Sequence, residues 1–361
     1  MRKPPTIDDV ALALGMHKST VSKALSDKGN ISHATKVRVR EAARELGYEP
    51  NPLAQRLANG YRNPMVYIFS GTLDVGVATQ KIRLIQQELN AASLEVPIYT
   101  CPESGGGAAA QQRSQAAQIK QLCRQRPRAI VCAVQMVGED VFSELAAYQR
   151  EGGIVVSYDT PIPLECDQVV FDREDNAYRA SKHLLEWGHR KIGIGMSRTS
   201  LPLLLDPAAA GLPQSGRMRG FRRALDEFGV PLRAEWFFEN APYEEGGEEM
   251  ARRFLSLEDR PTGLCIVNDY VAFAFMVDVM KAGVRVPGDV SIVAHDNQRI
   301  ASRCPVPMTS ATHPVEQIAQ SVVAMLLDRI EGYDGPPRTE TVRGELVVRG
   351  SAAPPSDDRP S

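Results

Sequence analysis

Hydrogen-bond donors concentrate near the beginning of the chain, on one face of a short predicted helix. The apolar residues of the segment 18–25 fall on one side of that helix and the polar residues on the other. The apolar side holds Val21, Ala24 and Leu25, and the polar side holds Lys18, Ser19, Ser22 and Lys23. Hydroxyl and ammonium groups reach base edges and phosphates in the major groove of duplex DNA. The polar side therefore predicts recognition of a nucleic acid.

A second set of polar side chains is dispersed through the rest of the chain, each at the end of a predicted strand or the start of a predicted helix. Its members are Asp159, Arg217, Asn268 and Asp296. Arg217 can donate two parallel hydrogen bonds to vicinal hydroxyls or to a carboxylate. Asn268 both donates and accepts, and the aspartates accept. Together with Tyr243, which can stack on a sugar face, this set suits a small polar ligand.

Two further predicted helices position the donors of the helix 18–25. Thr6 can cap the first of them, and Gly15 ends it in a left-handed conformation. Ser32 can cap the third helix, and Gly47 ends it in the same way. Two short helices joined by a tight turn form a helix-turn-helix, although an ordinary three-helix bundle has the same pattern.

A further short helix is predicted immediately after this head. Asn51 is its cap, Pro52 occupies its first position and Gly60 ends it. Because a helix of about two turns is unstable alone in water, we expect it to form only when it is packed against something. Such a segment suits a hinge that transmits a signal.

The charge of the chain is divided unevenly. Up to Arg62 there are eleven Lys and Arg residues against six acidic ones, so this part carries +5 and the remainder −7. A basic head on an acidic body is typical of a nucleic-acid-binding module joined to a soluble sensor.

Three segments of the head, taken in order, resemble the LacI/GalR family of transcription regulators. They are 6–11 (TIDDVA), 18–25 (KSTVSKAL) and 45–51 (ELGYEPN). The resemblance implies base-reading positions at Lys18, Ser19 and Lys23. It implies phosphate contacts at Thr6, Thr20, Ser22, Ser32 and Thr35, and hinge contacts to DNA at Asn51, Leu53, Ala54 and Leu57. Leu57 matches the residue that wedges into the minor groove and kinks the duplex.

One residue of the head departs from the family pattern. His17 stands where the family usually has a Ser or Thr that caps the recognition helix. We therefore expect a weakened cap, the alternative being a pH-sensitive contact of His17 with a phosphate.

The body after Pro64 alternates predicted strands and helices, which predicts parallel sheets covered by helices. Its length favours two lobes. The predicted fold is thus α/β, with an all-α helix-turn-helix head and a two-lobed body like that of periplasmic binding proteins. The predicted parts are a head at 1–50, a hinge helix and linker at 51–63, an effector-binding and dimerisation domain at 64–350, and a disordered tail at 351–361. Within the body the first lobe is placed at 64–160 with 313–340, and the second at 161–311 with 341–350.

The resemblance continues through the body in four segments. They are 184–192 (LLEWGHRKI), 217–221 (RMRGF), 267–269 (VND) and 286–296 (VPGDVSIVAHD). It implies that the chain crosses between the lobes near 159–163, 311–313 and 340–347. It also implies that Asp159, Arg217, Tyr243, Asn268 and Asp296 occupy effector positions. Departures from the family at 70–74, 172–173 and 294–297 indicate an unusual ligand or a pocket that has lost part of its binding function.

Two rival functions are considered. An enzyme is disfavoured because the sequence holds no Walker loop, no G-x-S-x-G and no H-E-x-x-H. A cytosolic solute-binding or sensor protein with the same body and no operator-specific role is the alternative.

The expected partners are an inverted-repeat operator in double-stranded DNA, a carbohydrate-like effector and a second copy of the chain in a homodimer. We expect no metal, no cofactor and no membrane span, six reduced core cysteines, and a cytoplasmic location.

Overall fold

The computed structural model describes residues 5–25, 31–48, 63–70, 76–101, 107–133, 139–197, 215–240 and 243–356. The first two ranges form the helical head. Its helices are α1 (Ile7–Leu14), α2 (Lys18–Leu25) and α3 (His33–Leu46), as predicted. The buried core of the head consists of Val10, Ala11, Val21, Ala24, Val39 and Ala43. Gly15 and Gly47 end α1 and α3 with φ of 61° and 67°, the left-handed conformation that glycine adopts without strain.

The body alternates strands and helices. The strands are β1 (Asn63–Ser70), β2 (Ile98–Thr100), β3 (Pro127–Ala133), β4 (Ile154–Asp159), β5 (Asp167–Phe171), β6 (Ile192–Ser197), β7 (Phe237–Asn240), β8 (Gly263–Ile266), β9 (Ser291–Asp296), β10 (Thr309–Thr312), β11 (Thr339–Val342) and β12 (Leu346–Val347). The helices are α4 (Gly76–Ala91), α5 (Gly107–Arg124), α6 (Glu139–Arg150), α7 (Arg173–Glu186), α8 (Gly216–Glu227), α9 (Tyr243–Ser256), α10 (Asp269–Lys281) and α11 (Val315–Glu331).

The first lobe is a parallel sheet with the strand order β2-β1-β3-β4-β5-β11. Successive side chains of a strand point to opposite faces. In β1, Val66 and Ile68 therefore pack with α4 and α11, whereas Tyr67 and Phe69 pack with α5 and α6. Because both faces of this sheet are buried, its strands appear in the sequence as continuous apolar runs.

The second lobe repeats this plan with the order β7-β6-β8-β9-β10-β12, in which β12 runs antiparallel to β10. Helices α7 and α8 cover one face, with Leu184 and Phe221 in the core, and α9 and α10 cover the other, with Phe254 and Phe275. The predicted α/β class with two parallel-sheet lobes is confirmed. The cysteines are free thiols, five of them buried and Cys123 half-buried.

The predicted lobe boundaries need correction. The range 161–311 predicted for the second lobe includes β5, yet β5 pairs with β4 and β11 at the edge of the first sheet. The chain therefore crosses first near Asp172 rather than near 159–163. It crosses again near 312–314, between β10 and α11, and near 343–345, between β11 and β12. The error has a simple origin, because β5 and β11 are short and β11 is largely exposed, so neither carries a strong apolar signal.

The tail is the second correction. Disorder was predicted from residue 351 onward because the segment is polar and rich in proline. Ser351 is instead fully buried, and its hydroxyl donates to the carbonyl oxygen of Ile292 (2.6 Å) and accepts from the backbone N–H of Thr309 (2.9 Å). Ala352 joins the core of the second lobe. Residues 357–361 lie outside the described part.

Candidate nucleic-acid interface and ligand cleft

The recognition helix α2 presents its polar side to solvent. Lys18, Ser19 and Lys23 are exposed, whereas Val21 and Ala24 are buried in the head, as the periodicity predicts. The ammonium of Lys18 pairs with Asp8 at 2.9 Å, with both side chains more than half exposed. Exposed pairs of this kind contribute about 0–1 kcal/mol, so a phosphate or base can displace Asp8 at little cost.

His17 caps α2. Its Nδ1 accepts from the backbone N–H of Ser19 (3.3 Å) and shares a hydrogen bond with the Ser19 hydroxyl (2.8 Å). The ring nitrogen thus takes over the role of the usual Ser or Thr oxygen. The N–H···N distance is long, which agrees with the expected weak cap.

Three of the predicted phosphate-contacting hydroxyls are engaged in capping. Both the backbone N–H and the hydroxyl of Thr6 donate to the carboxylate of Asp9 at 2.7 Å. Ser32 accepts from the N–H of Thr35 (3.2 Å), and the two hydroxyls lie 2.8 Å apart. Thr20 and Ser22 are half-buried on α2. The DNA contacts of all five residues stay a prediction, and Asn51, Leu53, Ala54 and Leu57 lie outside the described residues.

The second set of predicted residues meets at the carboxyl ends of the strands, where the lobes face each other. Asp159 ends β4, Asn268 follows β8 and Asp296 ends β9. All three have positive φ, of 76°, 144° and 93°. Such a backbone conformation costs about 1–3 kcal/mol for a non-glycine residue and persists mainly where function requires it. Ser93 and Arg126 also have positive φ away from this edge, so it is the convergence of three such polar residues at neighbouring strand ends that supports this edge as the candidate site.

Arg217 lies in the first turn of α8, beside the start of α7. A Cβ at Gly220 would lie 2.1 Å from the carbonyl oxygen of Glu174, so only glycine lets α8 approach α7 this closely. The glycine of the RMRGF segment therefore fixes where Arg217 stands. Burial and the neighbouring Arg173 lower the pKa of Arg217 to about 10, which leaves it charged at neutral pH.

Two buried residues of the cleft, Lys81 and His313, are not among the predicted site residues. The Lys81 ammonium of α4 forms a buried ion pair with Asp159 and lies 2.9 Å from Nε2 of His313. That same Nε2 lies 3.3 Å from Oδ1 of Asp159. Although burial by itself raises the pKa of Asp159, Lys81, His313 and Arg173 together hold it well below its usual range. Asp159 is thus an ionised, fully engaged carboxylate.

The apolar periodicity of α4 could have identified Lys81 as a buried residue. It falls on the apolar stripe of α4 with Val77, Ala78, Ile82 and Ile85, all of which are buried. A lysine on an apolar stripe needs a buried partner, and its position in the sequence does not name that partner.

In the second lobe, some polar groups at the cleft have hydrogen-bond partners and others do not. The Asn268 side chain caps α10 by accepting from the N–H of Tyr270 (2.7 Å), which leaves its amide as a donor. Asp296 lies 3.8 Å from Nδ1 of His313. Nε2 of His295 has no hydrogen-bond partner among the described residues. Tyr243 begins α9, and its side chain lies outside the described part.

Among the described residues, no helix combines the length and apolar character that a membrane crossing requires. Within the same ranges, no group of three or more His, Cys, Asp or Glu side chains is placed to hold a metal ion. A helix-turn-helix head and a two-lobed body with strained polar strand ends define the class: a DNA-binding protein with a ligand-binding body.

The comparisons agree with that class. The family described as "Bacterial regulatory proteins, lacI family" matches residues 6–51, and the "Periplasmic binding protein-like domain" matches residues 181–352. The chain belongs to the LacI/GalR family of bacterial transcription regulators.

Its similarity to known members extends over almost the whole chain. The HTH-type transcriptional repressor PurR of Aliivibrio salmonicida is 26% identical over 359 residues, covering 96% of this chain and 98% of the relative. PurR of Yersinia pestis bv. Antiqua is 26% identical, covering 96% and 97%. Among solved structures, the lac repressor dimer bound to operator and the anti-inducer ONPF has a TM-score of 0.74 at 23% identity, covering 97% of this chain and 100% of that one.

Proposed function

We propose that this protein represses transcription by binding an inverted-repeat operator as a homodimer, under control of a small molecule held between its lobes. The supporting observation is the joining of a self-contained head, with exposed donors along α2, to a cleft lined by strained polar residues. The relatives named above are repressors, and the lac repressor structure holds a dimer on operator DNA. Action on chromosomal DNA implies a cytoplasmic location, and no catalytic role is proposed.

The mechanism follows from the hinge. A single head contacts too few base pairs for high specificity. A two-fold dimer doubles the number of base pairs contacted and requires a symmetric operator. Movement of the lobes changes the spacing of the two hinge segments. When they meet over the central base step they fold, and Leu57 of each inserts into the minor groove. The ligand acts through its difference in affinity for the two lobe arrangements.

Selection from a random duplex library, with full-length protein, tests the operator. We expect enrichment of an inverted repeat. Fluorescence anisotropy on that repeat should then show that Leu57→Ala abolishes most specific binding but leaves weak, salt-sensitive binding. Leu12→Ala is the matched control, because Leu12 is 83% exposed on α1. Unchanged affinity of Leu57→Ala would refute the hinge role. Metabolite binding without preference for any duplex would favour a sensor with no operator.

A further inference from the structure

His313 lies in the second crossover, where the chain leaves β10 of the second lobe for α11 of the first, and it is 5% exposed. Its backbone N–H donates to the carbonyl oxygen of Asp296, in the second lobe, at 3.3 Å. Its ring packs on Phe171, at the end of β5 in the first lobe, with ring centroids 4.2 Å apart. The backbone of His313 is thus held by one lobe while its side chain contacts the other.

The surroundings of the His313 ring determine which nitrogen carries a proton. The Lys81 ammonium lies 2.9 Å from Nε2, and an ammonium can only donate. Nε2 therefore accepts from Lys81 and carries no hydrogen, so the proton of the neutral ring is on Nδ1. An N–H at Nε2, directed at Oδ1 of Asp159 3.3 Å away, would set two donors against each other at 2.9 Å. The same argument excludes a doubly protonated ring.

Nδ1 of His313 faces the second lobe. Among the described residues it has no hydrogen-bond partner, although the residue is buried. Oδ1 of Asp296 lies 3.8 Å away, whereas an N–H···O bond needs about 3.0 Å, so a shift of about 0.8 Å completes the bond. Because buried donors are ordinarily satisfied, this shift is favoured.

Four side chains therefore form a series across the hinge. In order they are the Asp159 carboxylate, the Lys81 ammonium, the His313 imidazole and the Asp296 carboxylate. Arg173 adds a second cation on the side of the first lobe, 3.9 Å from the Asp159 carboxylate. The series is complete in the first lobe and one hydrogen bond short in the second.

The lobes also lie against each other elsewhere in the cleft. The side chain of Gln298, just after β9, occupies the space that a Cβ of Gly76 would need. Gly76 begins α4, the helix that carries Lys81. A small movement of α4 relative to the second lobe therefore changes the distances on both sides of His313.

We propose that His313 is an interlobe latch: a positioning residue whose ring accepts from Lys81 of the first lobe and donates to Asp296 of the second when the lobes close. Every group of the latch belongs to the chain, so it holds the lobes without a ligand, and a ligand that opens them must break it. The inference rests on the proposed function, since it names the contact that restrains the lobe movement invoked there.

Hydrogen exchange followed by mass spectrometry, on the ligand-free full-length protein at pH 7.5, tests the latch. His313→Gln keeps both roles, because its amide oxygen can accept from Lys81 and its amide N–H can donate to Asp296. His313→Leu keeps neither. The amide to follow is that of Thr312, which donates to the carbonyl oxygen of Glu345 across two crossovers at 2.7 Å.

In His313→Leu the Thr312 amide should exchange about tenfold faster than in the wild type, as the loss of one or two hydrogen bonds implies. In His313→Gln its rate should stay within about threefold of the wild type. His183→Leu, at a half-buried histidine of α7, is the matched control and should not change it. An equal acceleration of the amides in the central strand β3 would indicate general destabilisation and overturn the proposal, as would a His313→Gln variant that exchanges as fast as His313→Leu.

The wild type supplies an independent arm. Long-range proton–nitrogen correlation spectra of protein labelled with ¹⁵N-histidine show which ring nitrogen carries the proton. The ring signals that disappear in His313→Gln should belong to a neutral imidazole protonated on Nδ1, and a proton on Nε2 or on both nitrogens would overturn the proposal. Neither arm uses DNA, so a failed latch beside a selected inverted repeat disproves this inference alone.

Discussion

At the scale of single residues, the cleft contains a buried ion pair between Lys81 and Asp159. Lys81→Met leaves the Asp159 carboxylate buried without its main counter-charge, which is expected to lower the free energy of unfolding by about 3–5 kcal/mol. Urea denaturation followed by circular dichroism measures this. The double variant Lys81→Met with Asp159→Asn removes both charges and should recover most of the loss. A single variant as stable as the wild type would contradict the ion pair.

His295 sets a pH dependence whose sign can be worked out. Its pKa is depressed to about 4 in the folded protein by burial and by Arg217, whereas the unfolded value is about 6.5. Between these values the unfolded chain binds more protons, so stability present above pH 6.5 is lost as the pH falls toward 4. From pH 7 to pH 5 the wild type should lose about 1–2 kcal/mol more than His295→Phe.

Urea midpoints at the two pH values test the His295 prediction. Phe keeps an aromatic ring without a titratable group. Nε2 of His295 has no described partner, so the variant loses only the contact of Nδ1 with the carbonyl oxygen of Ile266 (3.2 Å). Parallel pH profiles for the two proteins would rule out the proposed titration.

Residue types predicted the polar strand ends but not their partners. Asp159, Asn268 and Asp296 could be named because each follows an apolar run, and such ends face the cleft in an α/β fold. Lys81 could not be assigned, since Asp159 lies 78 residues away and His313 lies 232 residues away. Only the tertiary structure brings them together.

At the scale of elements, the crossover between β11 and β12 depends on one glycine. A Cβ at Gly344 would lie 2.0 Å from the carbonyl oxygen of Thr312 and 2.6 Å from Nδ2 of Asn176. That amide donates to the same Thr312 oxygen at 3.0 Å. Segments at or next to all three crossovers are therefore in contact here. Gly344 is thus a point of close approach between the crossover segments at 312–314 and 343–345.

Gly344→Ala is expected to lower the melting temperature by several degrees and to weaken coupling between ligand and operator, because the crossovers must separate to admit the methyl group. Differential scanning calorimetry and operator titrations with and without ligand measure both effects. Gly350→Ala is the control, because its added Cβ would meet no atom nearer than Cγ1 of Val306 at 3.7 Å. Equal melting temperatures for the two variants would contradict the packing argument.

Elements with a strong periodic signal were found in the sequence, and weak ones were not. The head helices, whose caps and terminal glycines are evident in the sequence, were predicted nearly at their observed bounds. Helix α6 was not predicted, and β5 and β11 were missed because short edge strands with polar residues have no distinctive pattern. These omissions misplaced the first crossover.

At the scale of the whole molecule, charge is separated between a basic head and an acidic body. Binding to non-specific duplex should weaken steeply with salt, since each phosphate contact contributes about 0.9 to the slope of log affinity against log salt. On non-specific duplex, where no base is read, we expect the Lys23 ammonium to neutralise a phosphate instead, so Lys23→Gln should lower that slope by about 1. Lys281→Gln, an exposed lysine of the body, should not change it. Equal slopes for all three proteins would argue against the head as the binding surface.

The order of the chain also shapes biosynthesis. The head is complete by Tyr48, with its core closed among α1, α2 and α3. The first sheet, by contrast, waits for Thr339–Val342, and the second for Leu346–Val347 and the buried Ser351. A nascent chain on the ribosome therefore exposes a finished groove-reading module while both halves of its sensor still lack an edge strand. Translation that stops early would therefore release a folded head whose DNA binding is not controlled by any ligand.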